Sequence, residues 1–363
     1  MKVAYVFGTR PEIIKLAPII KKTTSKNSSL IFTGQHYDFD MGLRFIEDLG
    51  LRSPDFKMKL TKLQNNTSDK ATQTGEIILK LAKILSKINP DSVVVQGDTN
   101  TVLAAAITSI KCGIPVFHVE AGLRSYDWRM PEEHNRIAVD HISELLFAPT
   151  KQTATILKNE HVHGNIHVTG NTSIDAVSEF IKKAEKKSKL NINHDFILTT
   201  VHRSENVDNK KTLKSIISGL LNSKGSFLFP IHPRTVNRLK EFGLYEKIKN
   251  SKKIELIPSV GYFDMLYLMK KCTFILTDSG GIQEEATSPL ISKKVLIARK
   301  STDRQEAVDA GLAEIMGTNS TKISRLINKT LENSQLVSKK TPYGDGRSSD
   351  KILKIIEKNI NNF

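Results

Sequence analysis

Residues 118–136, HVEAGLRSYDWRMPEEHNR, interleave Glu120, Asp127, Glu132 and Glu133 with Arg124, Arg129 and Arg136. The stretch follows an apolar run and ends where a helix begins. Carboxylates held there can take or give protons in a reaction; the plainer reading is a solvated, charged loop. Asp98 ends another apolar run in QGDTNTVLAAAI (96–107), where an aspartate or Thr99 would also serve as a helix cap. FGTRPEIIKLAP (7–18) brings Arg10 and Lys15 near a helix start, with Gly8 for the turn and Pro11 for the first helical turn. Backbone N–H groups there favour anions, although two surface cations on an ordinary strand–turn–helix would look the same.

A second set of residues suits phosphate. In TDSGGIQEEA (277–286), Ser279, Gly280 and Gly281 offer backbone N–H groups with no Cβ on the glycines to block approach. Glu284 and Glu285 follow one turn later, where one carboxylate faces a ligand and the other solvent, or both simply answer the helix dipole. LTTVHRSENVD (198–208) puts His202 and Arg203 beyond a strand, and PIHPRT (230–235) repeats this with His232 and Arg234. A single histidine at such a place is more often structural; two, each beside a cation, point to anion handling. Arg304 in RKSTDRQEAVDAG is a candidate phosphate clamp, or else a surface ion pair with Asp303 or Glu306.

The elements that must carry these residues are legible in the alternation of β-branched runs and amphipathic segments. Strands are expected at KVAYVFG, SSLIFTG, DSVVVQG, PVFHVE, LLFAPT, NIHVTG, FILTTV, SFLFPIH, IELIPS, FILTDS and KKVLIAR, with helices of roughly 10 to 20 residues between them. That is the pattern of parallel sheets covered on both faces, which bind ligands beyond the carboxyl ends of their strands. It runs twice. The expected fold is α/β, two doubly wound Rossmann-like domains facing a cleft, one over 1–172 joined by a returning helix at 346–363, the other over 173–345.

Composition narrows the class. The chain has 363 residues, 54 Lys+Arg against 38 Asp+Glu, and a net charge of +16. This asks for an acidic partner, yet much of the excess is lysine on helical faces, and no RNA- or DNA-binding motif accompanies it. No apolar run is long enough to span a bilayer, and MKVAYVFGTR reads as a first strand rather than a signal peptide. Cys112 and Cys272 are the only cysteines and are far apart, so neither a disulfide framework nor a zinc site is expected, and a reducing cytoplasm is the expected setting.

The ordered set GTRPE, QGDT, HVEAGLRS with PEE-NR, TGN, VHR-EN, HPRT, DSGG-QEEA and YGDGR resembles the UDP-N-acetylglucosamine 2-epimerase family over essentially the whole chain. It is most similar to the non-hydrolysing branch, which interconverts UDP-GlcNAc and UDP-ManNAc; relatives acting on diacetamido uronic acids usually begin GxRPQ, whereas Glu12 stands here. The resemblance implies a GT-B-like fold with UDP on the second domain. It places Arg10, His202, Ser279, Gly280, Gly281, Glu285 and Arg304 around UDP, and Lys15, Asp98, Glu120 and Glu132 around the sugar. Asp98, Glu120, Glu132 and His202 are then the catalytic candidates, and which carboxylate works on which face of the sugar stays open. No metal and no other cofactor is implied. Gln35 and His36 in TGQHYDFDM resemble part of a regulatory UDP-GlcNAc site, with turn stabilisation as the alternative.

Further expectations follow from the likeness: a homodimer, a role in polysaccharide biosynthesis, and no nucleic-acid or membrane partner. The competing functions are a hydrolysing epimerase releasing ManNAc and UDP, and a non-catalytic UDP-sugar sensor. One departure stands out. ATSPLISKKVLIARKSTDRQE carries two extra residues before the strand, Asp303 in place of Glu and Gln305 in place of Pro, which puts the local helix–strand geometry and the setting of Arg304 in question.

Overall fold

A computed structural model of the chain describes residues 2–35, 39–61, 68–333 and 340–359. It divides into two compact units, Met1–Ala176 with Tyr343–Phe363, and Val177–Pro342.

The first unit is built on β1 (Val3–Phe7), β2 (Ser28–Phe32), β3 (Phe56–Lys57), β4 (Ser92–Gln96), β5 (Val116–Val119), β6 (Leu145–Ala148) and β7 (Asn165–Val168). All pair in parallel, in the order β3-β2-β1-β4-β5-β6-β7. The central strands are apolar without alternation because helices cover both faces: Val93, Val94 and Val95 are all fully buried. Helix Asp69–Ile88 shows the complementary pattern, burying Ile77, Leu81 and Leu85 at four-residue spacing against that core. The chain reverses its winding direction between β1 and β4, so their carboxyl ends flank the crevice in which such sheets bind ligands. Helix Ser348–Asn359 belongs to this unit. Asp175 accepts hydrogen bonds from the backbone N–H of Ser348 (3.1 Å) and Ser349 (2.8 Å) at its start, and Ile352 and Ile356 are buried.

The second unit contains β8 (Ile197–Thr200), β9 (Phe227–Ile231), β10 (Ile254–Pro258), β11 (Ile275–Thr277), β12 (Val295–Ile297) and β13 (Ala313–Ile315), all parallel in the order β10-β9-β8-β11-β12-β13. Its reversal lies between β8 and β11. Each unit is thus an α/β doubly wound, Rossmann-like domain.

Two strands are additions to the sequence reading, β3 and β13, at opposite ends of their sheets. Two or three residues are too few to show a period. The two-residue insertion is absorbed without disturbing the sheet. Ile291 donates to Ser288 O (2.9 Å) and Lys293 to Ala286 O (3.0 Å), and β12 then pairs with β11 from Ile275↔Val295 to Thr277↔Ile297. Among the described residues, no helix is long and apolar enough to cross a membrane.

Candidate active site

In the first unit the singled-out residues gather at the carboxyl ends of β1, β4 and β5. Pro11 opens helix Arg10–Ile20, and Gly8 precedes it because a Cβ there would fall 2.1 Å from Thr33 Oγ1 and 2.4 Å from Thr101 Oγ1. Lys15 lies on the inner face of this helix, buried, and its Nζ donates to Glu120 Oε2. Gln96 Nε2 donates to the same oxygen at 2.9 Å, and Asn171 Nδ2 stands 3.5 Å from it. Glu120 itself has φ +72°, a left-handed conformation that a long side chain adopts at a cost of about 1–3 kcal/mol. A buried carboxylate in strained backbone, with a buried ammonium beside it, is the most functional-looking feature of the unit.

Helix Pro131–His141 organises the rest. Its Asn135 Nδ2 donates to Asp98 O at 2.8 Å, and Arg136 Nη2 pairs with the Asp98 carboxylate. Asp98 is therefore aimed by the helix, while its neighbour Thr99 caps helix Asn100–Lys111. Glu132 is half-buried in the first turn of helix Pro131–His141. Glu133, the neighbouring carboxylate, has a structural task. It is buried, accepts from Ser125 N (3.0 Å), Ser125 Oγ (2.8 Å) and Tyr126 N (2.8 Å), and pairs with Arg136 at 3.1 Å. It pins the loop that follows Glu120. Arg124 and Arg136 share that task, whereas Arg129 lies exposed against Asp127. Replacing Glu133 by Ala orphans two backbone donors and half of a buried ion pair. A loss of about 2–4 kcal/mol in denaturant unfolding is expected, against less than about 0.5 kcal/mol for Asp127→Ala.

Glu12 was singled out only for its place in GTRPE, and the structure gives it a task. It is buried, and its carboxyl accepts from Gly8 N (2.7 Å) and Thr9 Oγ1 (2.8 Å). Burial pushes its pKa up to about 7 from an ordinary 4.5, against the lowering effect of its hydrogen bonds to Thr99, Gly8 and Thr9. The folded protein thus holds this proton more tightly than the unfolded chain. Stability from this group is fully present below about pH 4.5 and is lost as pH rises to about 7, by on the order of 3 kcal/mol. Glu12→Gln can keep both contacts, since its amide can donate to Thr9 Oγ1. The variant should match wild type near pH 5 and exceed it near pH 8 in paired denaturant titrations.

Gln35 is occupied structurally. Its Oε1 accepts from Thr101 N (2.8 Å) and Thr101 Oγ1 (2.7 Å), at the start of helix Asn100–Lys111. His36 lies outside the described residues.

In the second unit the residues following β8 and β11 converge through Asp278, which is fully buried, and Asn206 Nδ2 reaches on to Ala298 O after β12 at 2.8 Å. The Asp278 carboxylate accepts from His202 N (3.0 Å), Arg203 N (2.9 Å) and Asn206 Nδ2 (2.9 Å), and lies 3.3 Å from His202 Nδ1. His202 is thereby tied to the residue that immediately precedes Ser279. His232 packs 6.2 Å from the His202 ring. Partial burial, then His202 and then Arg234, hold its pKa below the ordinary value. Arg234 is engaged by Asp208.

Ser279 stands at the N-cap position of the short helix Gly280–Glu285 without a side-chain capping bond, and a Cβ at Gly281 would meet nothing within 4 Å, so the space in front of it is open. Arg304 covers Gly280, its guanidinium carbon 3.6 Å from the position of a Gly280 Cβ. Arg304 is no surface ion pair. It is buried between Glu284, which accepts from Nε, and Asp303 at 2.8 Å. Glu284 and Glu285 both turn inward, so neither faces solvent. Burial, and then the Glu285 carboxylate beside it, push the Tyr262 hydroxyl pKa well up. Among the described residues, no three His, Cys, Asp or Glu side chains gather as a metal site.

The sequence profile described as UDP-N-acetylglucosamine 2-epimerase matches residues 19–357. A UDP-N-acetylglucosamine 2-epimerase of Methanocaldococcus jannaschii is 42% identical over 98% of this chain and 99% of its own. The crystal structure of the UDP-GlcNAc 2-epimerase from that organism, in complex with UDP-GlcNAc and UDP, superposes with a TM-score of 0.87, covering 99% of this chain and 100% of that one at 42% identity. The UDP-2,3-diacetamido-2,3-dideoxy-D-glucuronate 2-epimerase of Pseudomonas aeruginosa is 32% identical over 99% of this chain and 100% of its own.

Proposed function

Because the chain belongs to the UDP-N-acetylglucosamine 2-epimerase family, we propose that it interconverts UDP-GlcNAc and UDP-ManNAc without hydrolysing either. The observation that carries this is the buried Lys15–Glu120 pair, with Glu120 in left-handed backbone, at the ends of strands that also present Asp98.

The hydrogen on C2 of the sugar is only weakly acidic, since no ketone or ester activates it. Removal becomes feasible when a leaving group departs together with it. A carboxylate takes the C2 proton, the C2–H electrons form the C1=C2 bond of 2-acetamidoglucal, and the C1–O bond breaks with its electrons going to UDP. Return of UDP oxygen to C1, with a proton delivered to the opposite face of C2, gives the epimer. This requires acid/base groups on both faces and cations at the departing pyrophosphate. Asp98, Glu120 and Glu132 are assigned the proton transfers, with Lys15 tuning Glu120. Arg10, His202, Arg304, Glu285 and the turn Ser279–Gly280–Gly281 are assigned to UDP, the open space before Gly281 supporting that placement. The scheme itself calls for no metal or nicotinamide.

Purified protein incubated with UDP-GlcNAc in deuterium oxide should incorporate solvent deuterium at C2 while UDP-GlcNAc and UDP-ManNAc approach equilibrium. Steady loss of UDP-sugar to free ManNAc and UDP would establish the hydrolysing alternative. Binding without exchange would establish a sensor. The same assay on the diacetamido uronic acid analogue decides the sugar preference, given the relative that acts on that class. The proposal extends to a cytoplasmic homodimer supplying ManNAc donors for polysaccharide.

A further inference from the structure

Two polar residues sit fully buried behind the candidate carboxylates with no role in the chemistry above. His118 interrupts the apolar strand β5, and Asp140 ends the inner face of helix Pro131–His141. His118 Nδ1 lies 2.7 Å from Asp140 Oδ1, and its Nε2 lies 2.8 Å from the carbonyl oxygen of Gly97. The other Asp140 oxygen accepts from Gly122 N at 3.1 Å and pairs with Arg124 at 2.7 Å. Arg124 in turn donates to Leu123 O at 2.6 Å and to Glu160 at 2.9 Å.

The chain positions give this network its meaning. Gly97 immediately precedes Asp98, and Gly122 follows Glu120 by two residues. Both glycines have positive φ, +83° and +86°, so each marks a turn that a small shift would redirect. A carbonyl oxygen only accepts, so Nε2 carries a hydrogen. Burial raises the Asp140 pKa, but His118 and Arg124 more than offset this and hold it below the ordinary value. His118, Asp140, Arg124 and Glu160 satisfy one another's hydrogen-bonding groups in a chain, which is how a buried polar network becomes rigid rather than destabilising.

We propose that His118 and Asp140 are positioning residues that fix the separation of Asp98 from Glu120, through Gly97 and Gly122, and so set how the proton is shared between the two faces of the sugar. The inference rests on the epimerase reading and deepens it. A residue that merely holds the fold would, on removal, lower the amount of active enzyme. A residue that sets the spacing of two acid/base groups would change what each active molecule does.

The measurement is therefore a ratio. In deuterium oxide at low conversion, the 2-acetamidoglucal intermediate is returned as deuterated starting sugar, returned as deuterated epimer, or released. These proportions are independent of the folded fraction. His118→Asn and Asp140→Asn, in the full chain, should lower kcat by about 10- to 100-fold and leave KM and UDP affinity within about threefold of wild type. Both should shift the ratio of returned sugar to epimer by at least about threefold, with more glucal released. Glu160→Gln, at the solvent end of the same network, should keep the wild-type ratio. Unchanged ratios in the His118 and Asp140 variants, or an equal shift in Glu160→Gln, would overturn the positioning role while leaving the epimerase reading intact. Wild-type protein that exchanges no deuterium would remove both.

Discussion

Glu120→Gln should lower the rate of C2 exchange by about 10²- to 10⁴-fold, the range expected when a positioned acid/base group is lost, with UDP affinity unchanged. The substitution is the cleanest available, because glutamine at φ +72° is strained as glutamate is, and the comparison isolates the carboxylate. Glu120→Gly would confound two effects. It relieves the left-handed strain of about 1–3 kcal/mol while removing a buried partner of Lys15. Glutamine retains one oxygen that can keep both contacts, from Gln96 Nε2 at 2.9 Å and from Lys15 Nζ, since both are made to the same carboxylate oxygen, although it no longer offers a charge to the buried ammonium. Some stability is lost for that reason, and rates must be normalised to folded protein. Glutamine at Glu132, which is half-buried in its helix turn, offers the control for a carboxylate held less tightly. Full exchange in Glu120→Gln would move the proton transfer to Asp98 or Glu132.

How far the sequence announced all this depends on the length scale of the signal. Apolar runs of four or five residues such as VAYVF, SVVVQ and LLFA can be read because burial on both faces leaves no polar position. Their carboxyl ends are then fixed, which is why Asp98, Glu120, His202 and Ser279 could be singled out. The residues that escaped are those whose partners come from another element. Gln96, His118 and Asp278 are polar residues within or immediately after otherwise apolar strands, and that interruption was the available clue. The structural task of Glu133 stayed hidden for a different reason. Once Pro131 is fixed as the first helical residue, Glu133, Arg136 and Asp140 share one face at spacings of three and four, and Glu132 points elsewhere. The loop's alternating charges concealed that phase. Hence the clustered acids and bases of HVEAGLRSYDWRMPEEHNR separate into carboxylates proposed for chemistry and carboxylates that hold the loop in place.

Arg304 provides the corresponding test in the second unit, because there the same residue is asked to stabilise the fold and to grip the ligand. It is buried against Glu284, whose side chain is fully enclosed, and against Asp303 at 2.8 Å. Arg304→Ala leaves buried negative charge without this cation, so unfolding should become easier by about 3–5 kcal/mol. UDP affinity should fall by on the order of 100-fold through loss of a charge-assisted contact to phosphate. Read alone, the second effect could follow from the first. The double variant Arg304→Met with Glu284→Gln separates them: it replaces the ion pair by neutral groups of similar size, a change that is often neutral for stability. Asp303 keeps Arg299 at 3.4 Å. The double variant should therefore unfold within about 1–2 kcal/mol of wild type yet bind UDP as weakly as Arg304→Ala, measured by calorimetry on folded protein. Recovery of UDP affinity together with stability would make Arg304 a scaffold residue and shift the phosphate contact to His202 and the turn at Gly280–Gly281.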